Sequence, residues 1–168
     1  MLIMMKYTVY IVISLFFLSF QTSVKKEYHK EYYSDGSIKS EGWKIAEQKI
    51  DYWYIYHPNG TVLEQGHYRN NKKQGYWYFY SSENKLIKEG HFINDKAEKW
   101  WIIYDIAAGN KKNQIIRKYQ YQNNKKNGYC LLYKNDKLFK AEKYVDDQKV
   151  GEWTDVFSFK KDNPNASL

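Results

Sequence analysis

The sequence predicts an all-β chain of tandem β-hairpins joined into one extended antiparallel sheet. Three observations carry this. Trp53, Trp77 and Trp101 recur at a step of 24 residues, and Gly42, Gly66 and Gly90 keep the same step. Each Trp lies in a short aromatic run bounded by turn residues, as in Tyr76-Trp77-Tyr78-Phe79-Tyr80. Beyond the first residues, no apolar stripe at helical spacing lasts longer than a turn or two. Aromatic residues make up 19% of the chain, with 18 Tyr, 8 Phe and 6 Trp, which excludes wholesale disorder.

The chain opens on a segment that is not part of this fold. Lys6 is followed by an apolar run, Tyr7 to Phe20, and then by Gln21-Thr22-Ser23. This is the layout of a secretory signal peptide over residues 1–21. The run is shorter than the roughly 20 apolar residues that span a bilayer. Adding Leu2 to Met5 makes it long enough to act as an uncleaved anchor, so both fates stay open. Export places the protein in the periplasm, at the envelope or outside the cell. Removing residues 1–21 takes away one Lys and no acid, which lowers the net charge from +8 to +7. A basic surface favours anionic partners such as lipid head groups or acidic proteins. Nucleic acid is not an expected partner. The lone Cys130 has no partner for an internal disulfide and is expected to be buried.

The repeat domain covers residues 24–159 as about five units. The first half of each is an aromatic strand: Tyr52 to Tyr56, Tyr76 to Tyr80, Trp100 to Tyr104, Tyr129 to Tyr133. A turn follows, such as His57-Pro58-Asn59-Gly60, where positive φ is tolerated. The second half is a strand such as Val62 to Tyr68 or Leu86 to Phe92. A basic turn then closes the unit, as in Arg69 to Gly75 and Gln122 to Gly128. An isolated hairpin is marginal in water, but stacked hairpins cover one another. An insertion at 105–114 shifts the register. Beyond it Cys130 takes the Trp place and Trp153 follows 23 residues later. Residues 160–168, with Pro164, read as a polar tail that frays.

Strand side chains alternate between faces. One face carries Trp53, Trp77, Trp101, Cys130 and Trp153, with Ile55, Phe79, Ile103 and Leu132, and is the expected core. The recurring glycines leave room there for a neighbour's ring. The other face carries Tyr54, Tyr56, Tyr78, Tyr80 and Tyr104, the candidate binding residues, suited to a peptide edge, a sugar ring or a lipid interface. Lys72, Lys73, Lys96, Lys125 and Lys126 occupy equivalent turns and are expected to form a basic ridge that could meet anionic lipid. His67 and His91 hold equivalent positions, expected side by side across the sheet. With no third ligand recurring beside them they make no metal site. Glu41, Gln65 and Glu89 recur with the repeat and need no chemistry to explain them. No catalytic triad, phosphate loop or metal motif stands in the sequence, so neither an enzyme nor a cofactor is expected.

Gly66-His67-Tyr68, the Asn/Lys-rich turn, Gly75-Tyr76-Trp77 and the aromatic strand after it resemble the MORN repeat. More closely they look like the bacterial variant found in exported proteins often grouped as YwqK-type antitoxins. The resemblance covers about Tyr28 to Phe159. It implies a single sheet of hairpins and a non-catalytic role in membrane attachment, protein scaffolding or toxin neutralisation. Asp51 and Lys99 replace the turn Gly of the pattern, and Cys130 replaces its Trp. The resulting expectation is an exported protein-binding or scaffold module, antitoxin- or immunity-like, with a protein partner engaged through the Tyr face and the 105–114 loop. The alternative is peripheral binding to anionic envelope lipid through the lysines.

Overall fold

A computed structural model describes residues 24–105 and 114–166. Residues 1–23, with the expected signal segment, and the loop residues Ala107 to Lys112 lie outside the described residues. Eleven strands follow one another: β1 (Lys26–Tyr32), β2 (Ile38–Ile45), β3 (Gln48–Tyr56), β4 (Val62–Arg69), β5 (Lys72–Tyr80), β6 (Leu86–Ile93), β7 (Lys96–Tyr104), β8 (Ile115–Gln122), β9 (Lys125–Lys134), β10 (Lys137–Val145) and β11 (Gln148–Trp153). They pair in chain order as one antiparallel sheet. The odd-numbered strands are the aromatic half-strands of the repeat.

Turn chemistry sets this order. Asn70-Asn71, Asn94-Asp95, Asn123-Asn124, Asn135-Asp136 and Asp146-Asp147 all have positive φ, between 48° and 68°. Consecutive left-handed residues form the turn whose twist matches antiparallel strands. The turns also hold one unit to the next. Asn71 Oδ1 accepts from Lys49 N at 2.7 Å, and Asn71 N donates to Lys49 O at 3.0 Å. Asp95 with Lys73, Asn124 with Ala97 and Asp147 with Lys126 repeat the pair of bonds.

The recurring Gly and Trp meet across the strands. Gly42 pairs with Trp53, Gly66 with Trp77 and Gly90 with Trp101. A Cβ on any of these glycines would stand closer than 3.0 Å to indole carbons, so the ring lies directly on the Gly backbone. Just past each Gly the register slips. His67 faces Gln74 rather than Tyr76, so Gly75 and Tyr76 bulge from β5. Gly75 takes the left-handed conformation at φ 75°, and Asp51 and Lys99 do so at 55° and 62° in their units. The carbonyl beyond the slip receives the indole N–H. Trp53, Trp77 and Trp101 donate to Trp43 O, His67 O and His91 O at 3.0–3.1 Å.

A single-layer sheet has no second sheet to cover these rings. Side chains of the same face do so instead. Tyr68 and Phe92 stand edge-on to Trp77, with centroids 5.0 and 6.1 Å away. Lys49 Nζ lies 4.1 Å over Trp53 and Lys73 Nζ 4.3 Å over Trp77. Trp53 and Trp77 are 0% exposed as a result. Burying one such ring is worth about 4–6 kcal/mol before entropy costs.

The last two units depart from this pattern. Tyr119 pairs with Cys130 where the others pair Gly with Trp, so the large and small partners have changed strands. Cys130 is fully buried, as expected, and burial pushes its thiol up to about 12. Trp153 is a correction. It pairs with Ala141, one residue before Glu142, which continues the Gly register opposite Cys130. That one-residue difference turns Trp153 onto the Tyr-bearing face. The tail is a second correction. Val156–Asp162 form a helix, α1, capped by Asp155, whose side chain accepts from Ser158 N at 2.8 Å. Phe159 of α1 is 1% exposed, and Asn163 is 8% exposed.

Candidate binding face

The Tyr-bearing face is arranged in columns, each taking one side chain from β3, β5, β7 and β9. Equivalent positions on alternate strands stand about 9.5 Å apart. The columns are Tyr52, Tyr76, Trp100, Tyr129; then Tyr54, Tyr78, Ile102, Leu131; then Tyr56, Tyr80, Tyr104, Tyr133. The structure therefore places Tyr54, Tyr56, Tyr78, Tyr80 and Tyr104 together on one face.

Glu41, Gln65 and Glu89 have a structural use here. Tyr56 Oη donates to Glu41 at 2.7 Å and Tyr104 Oη to Glu89 at 2.6 Å. Gln65 Nε2 donates to Tyr80 Oη at 2.9 Å. The Tyr56 bond, helped by Lys30, outweighs desolvation and holds Glu41 below the usual carboxylate range. Burial, followed by the neighbouring carboxylate, pushes the Tyr56 and Tyr104 phenols up. Tyr76 is pushed up to about 12 by burial and Glu89. These bonds fix the third column, while Tyr54 and Trp100 remain 37% and 38% exposed.

His67 and His91 are not adjacent, because β5 runs between their strands. Each stands edge-on to a Tyr: Tyr52 with His67 at 4.9 Å and Tyr76 with His91 at 5.0 Å between centroids. Burial, with Lys99 nearby, lowers the His91 pKa. Among the described residues no group of three His, Cys, Asp or Glu could hold a metal ion.

The lysines separate into two sets. Lys72, Lys96 and Lys125 are exposed at successive turns. Lys96 Nζ donates to Asn123 Oδ1 at 3.1 Å, and Lys125 lies 3.6 Å from Asp146. Lys73 and Lys126 do not belong to the ridge. Lys73 lies over Trp77 and pairs with Glu64 at 2.6 Å, and Lys126 lies 4.4 Å over Tyr119. An aromatic ring two strand positions or more away draws each ammonium inward, a pull that turn position alone does not reveal.

Sequence spacing missed the part of this face that is already occupied. Phe159 of α1 packs on Leu131 and Ala141, with Tyr129, Tyr133 and Trp153 around it. Trp153 Nε1 donates to Asp162 at 2.8 Å and Tyr129 Oη to Asn163 Oδ1 at 2.9 Å. Ala141 gave the one available signal. It stands where earlier units carry Glu41, Gln65 and Glu89, and its small side chain leaves room for a ring.

Among the described residues no helix is long and apolar enough to cross a membrane. Compared with models of known protein families and with curated proteins, the chain matches none.

Proposed function

We propose that the chain is an exported, non-catalytic binding or scaffold module that holds a protein partner on its Tyr-bearing face. The observation that carries this reading is that one face serves two conditions. At the C-terminal end it buries Phe159 of α1, while over β3 to β7 the same columns stay open with Tyr54 and Trp100 exposed. Exposed aromatic surface of this kind usually marks an interaction site. Neutralisation of a partner protein, as the likeness to MORN-type bacterial antitoxins implies, is the specific form of the reading. The apolar run after Lys6 supports export.

The second reading is attachment to anionic lipid through Lys72, Lys96 and Lys125. Their exposure at successive turns supports it, and the pairing of Lys96 and Lys125 within the chain weakens it. Salt separates the two readings. Exposed charges are screened over about 8 Å at physiological ionic strength, whereas a buried aromatic contact resists salt. Co-purification of the full chain from native extract is compared at low and high salt. One stoichiometric protein that survives high salt and is lost on Tyr54→Ser/Tyr78→Ser supports the protein reading. Recovery of lipid alone, lost with salt and with Lys72→Gln/Lys96→Gln/Lys125→Gln, supports the second.

A further inference from the structure

We infer that the free edge of β1 pairs with β1 of a second copy of this chain, antiparallel, across a twofold axis at His29. The inference goes beyond the protein-binding reading and does not depend on it. Among the described residues β1 and β11 each have a neighbouring strand on one side only. The two edges differ. On β11 the register slips between Lys143 and Tyr144, which leaves Val150 bulged out of the ladder, and Trp153 at its end is tied to Asp162 of α1. Bulges of this kind keep an edge from pairing. β1 pairs with β2 without a slip from Lys26 to Glu31, and its residues from Lys26 to Lys30 are all exposed. Its outer row of backbone N–H and C=O groups is therefore a regular template for another strand.

Charged side chains guard an edge when they stand unpaired. Those of β1 are mostly matched within the chain. Lys30 pairs with Glu41 at 3.1 Å and Lys26 with Asp51, while Glu31 lies 3.6 Å from both Lys44 and Lys49. Residues 24–47 hold five lysines and five acids, so this hairpin brings no net charge to the edge although the whole chain carries +8. Apolar surface gathers at the same place. Tyr28 and Tyr32 are 48% and 58% exposed, and Trp43, edge-on to Tyr28 at 5.2 Å, is 37% exposed.

Symmetry and charge select the register. Residues opposed on antiparallel strands point to the same face, so a twofold pairing sets one residue opposite itself. With His29 on the axis, all seven residues of β1 are paired. On the Tyr-bearing face Lys26 then meets the second copy's Tyr32, and Lys30 its Tyr28, each a cation beside an aromatic ring. Moving the axis to Tyr28 sets Lys26 against Lys30, and moving it to Lys30 sets that lysine against itself. On the other face Glu27 meets Glu31, whose charge Lys44 and Lys49 already offset. Seven residues pair over about 24 Å, a smaller contact than the roughly 800 Å² a side of a standard interface, so the dimer is weak and concentration-dependent. The axis stands perpendicular to the sheet. Both Tyr-bearing faces therefore look the same way, and a partner meets two of them side by side.

Sedimentation velocity of the full chain, from about 1 to about 200 μM, tests the inference. The expected result is a reversible monomer–dimer equilibrium with a Kd of roughly tens of micromolar. His29→Asp sets two like charges opposite each other on the axis and should weaken the dimer about fivefold. His29 is exposed, so the variant is expected to fold, which the melting curve checks. Cross-linking reads the register. On air oxidation His29→Cys should join two copies by a disulfide. Tyr28→Cys and Lys30→Cys should do so at least about tenfold more slowly, because two copies of either position stand about 8 Å apart, beyond disulfide reach. The native Cys130 is buried and adds little background. A monomer throughout the range overturns the inference. So does a dimer that His29→Asp leaves unchanged, or one that cross-links fastest through position 28 or 30.

Discussion

The units from β2 to β7 and those from β8 onward solve the same packing problem in different ways. In the first region a ring lies on a glycine, a bulge turns the next carbonyl, and the indole N–H bonds to it. In the second, Tyr119 and Cys130 exchange large for small, and Trp153 leaves the Trp face to hold a helix. The repeat therefore conserves the filled volume between strands more strictly than the residue that fills it. Where the ring leaves the core face, the opposite face gains a ligand, α1.

Alkali acts on both regions and should give the largest effect. Tyr56, Tyr68 and Tyr104 in the first region, and Tyr119 and Tyr144 in the second, all have raised pKa values, chiefly from burial. Folding favours their neutral phenols. Stability should be intact below pH 10 and fall as pH rises through the folded values, which for Tyr76 and Tyr144 are about 12. Thermal melts followed by circular dichroism from pH 8 to 12 would show it. A melting temperature that stays flat past pH 11 would contradict it.

Trp77→Ala comes next, at about 3–5 kcal/mol, against about 1 kcal/mol for Cys130→Ala at the equivalent place. Urea unfolding of both variants measures the gap, and equal costs would mean the two regions do not differ as described. Exchanging the solution sharpens the comparison further. Cys130→Trp alone should cost about 1–3 kcal/mol by overpacking against Tyr119. Adding Tyr119→Gly should recover most of that loss, with a coupling of about 1–3 kcal/mol in a double-mutant cycle.

The first region was largely legible in the sequence. A step of 24 residues gave the strands, and Asn-rich turns gave their order. Gly and Trp at matching intervals gave the cross-strand contact. The columns of Tyr54, Tyr56, Tyr78, Tyr80 and Tyr104 followed from strand alternation alone. The second region was less legible because spacing does not encode register. Trp153 follows Cys130 by nearly the usual step, yet a bulge of different length moves it to the other face. Glu142 marks the change, since a Glu cannot lie flat beneath an indole as Gly does, whereas Ala141 beside it can accept a ring edge. Helix α1 was hidden because seven residues are too few to show helical periodicity. Lys73 and Lys126 were misplaced because turn position does not show the rings within their reach, Trp77 four residues along the same strand for Lys73 and Tyr119 on the neighbouring strand for Lys126.

The smallest predicted effect concerns the bulge. Lys99 holds a left-handed φ of 62° where Gly75 serves in the preceding unit. A left-handed conformation costs a residue with a side chain about 1–2 kcal/mol. Lys99→Gly should therefore stabilise the chain by about 1 kcal/mol, less the added freedom of the unfolded glycine. Gly75→Ala should do the reverse, and both are read from denaturant midpoints. A destabilised Lys99→Gly would show that the Lys side chain does more than occupy the bulge.

The most direct test of the repeat's construction is hydrogen exchange at the six indole N–H groups, followed residue by residue. The N–H groups of Trp53, Trp77 and Trp101 are buried against backbone carbonyls and should exchange only when the sheet opens. Trp43 and Trp100 should exchange fast, and Trp153 should follow the opening of α1 through its bond to Asp162. If Trp53, Trp77 and Trp101 exchange as fast as Trp100, the ring-on-glycine contact is not what holds the units together.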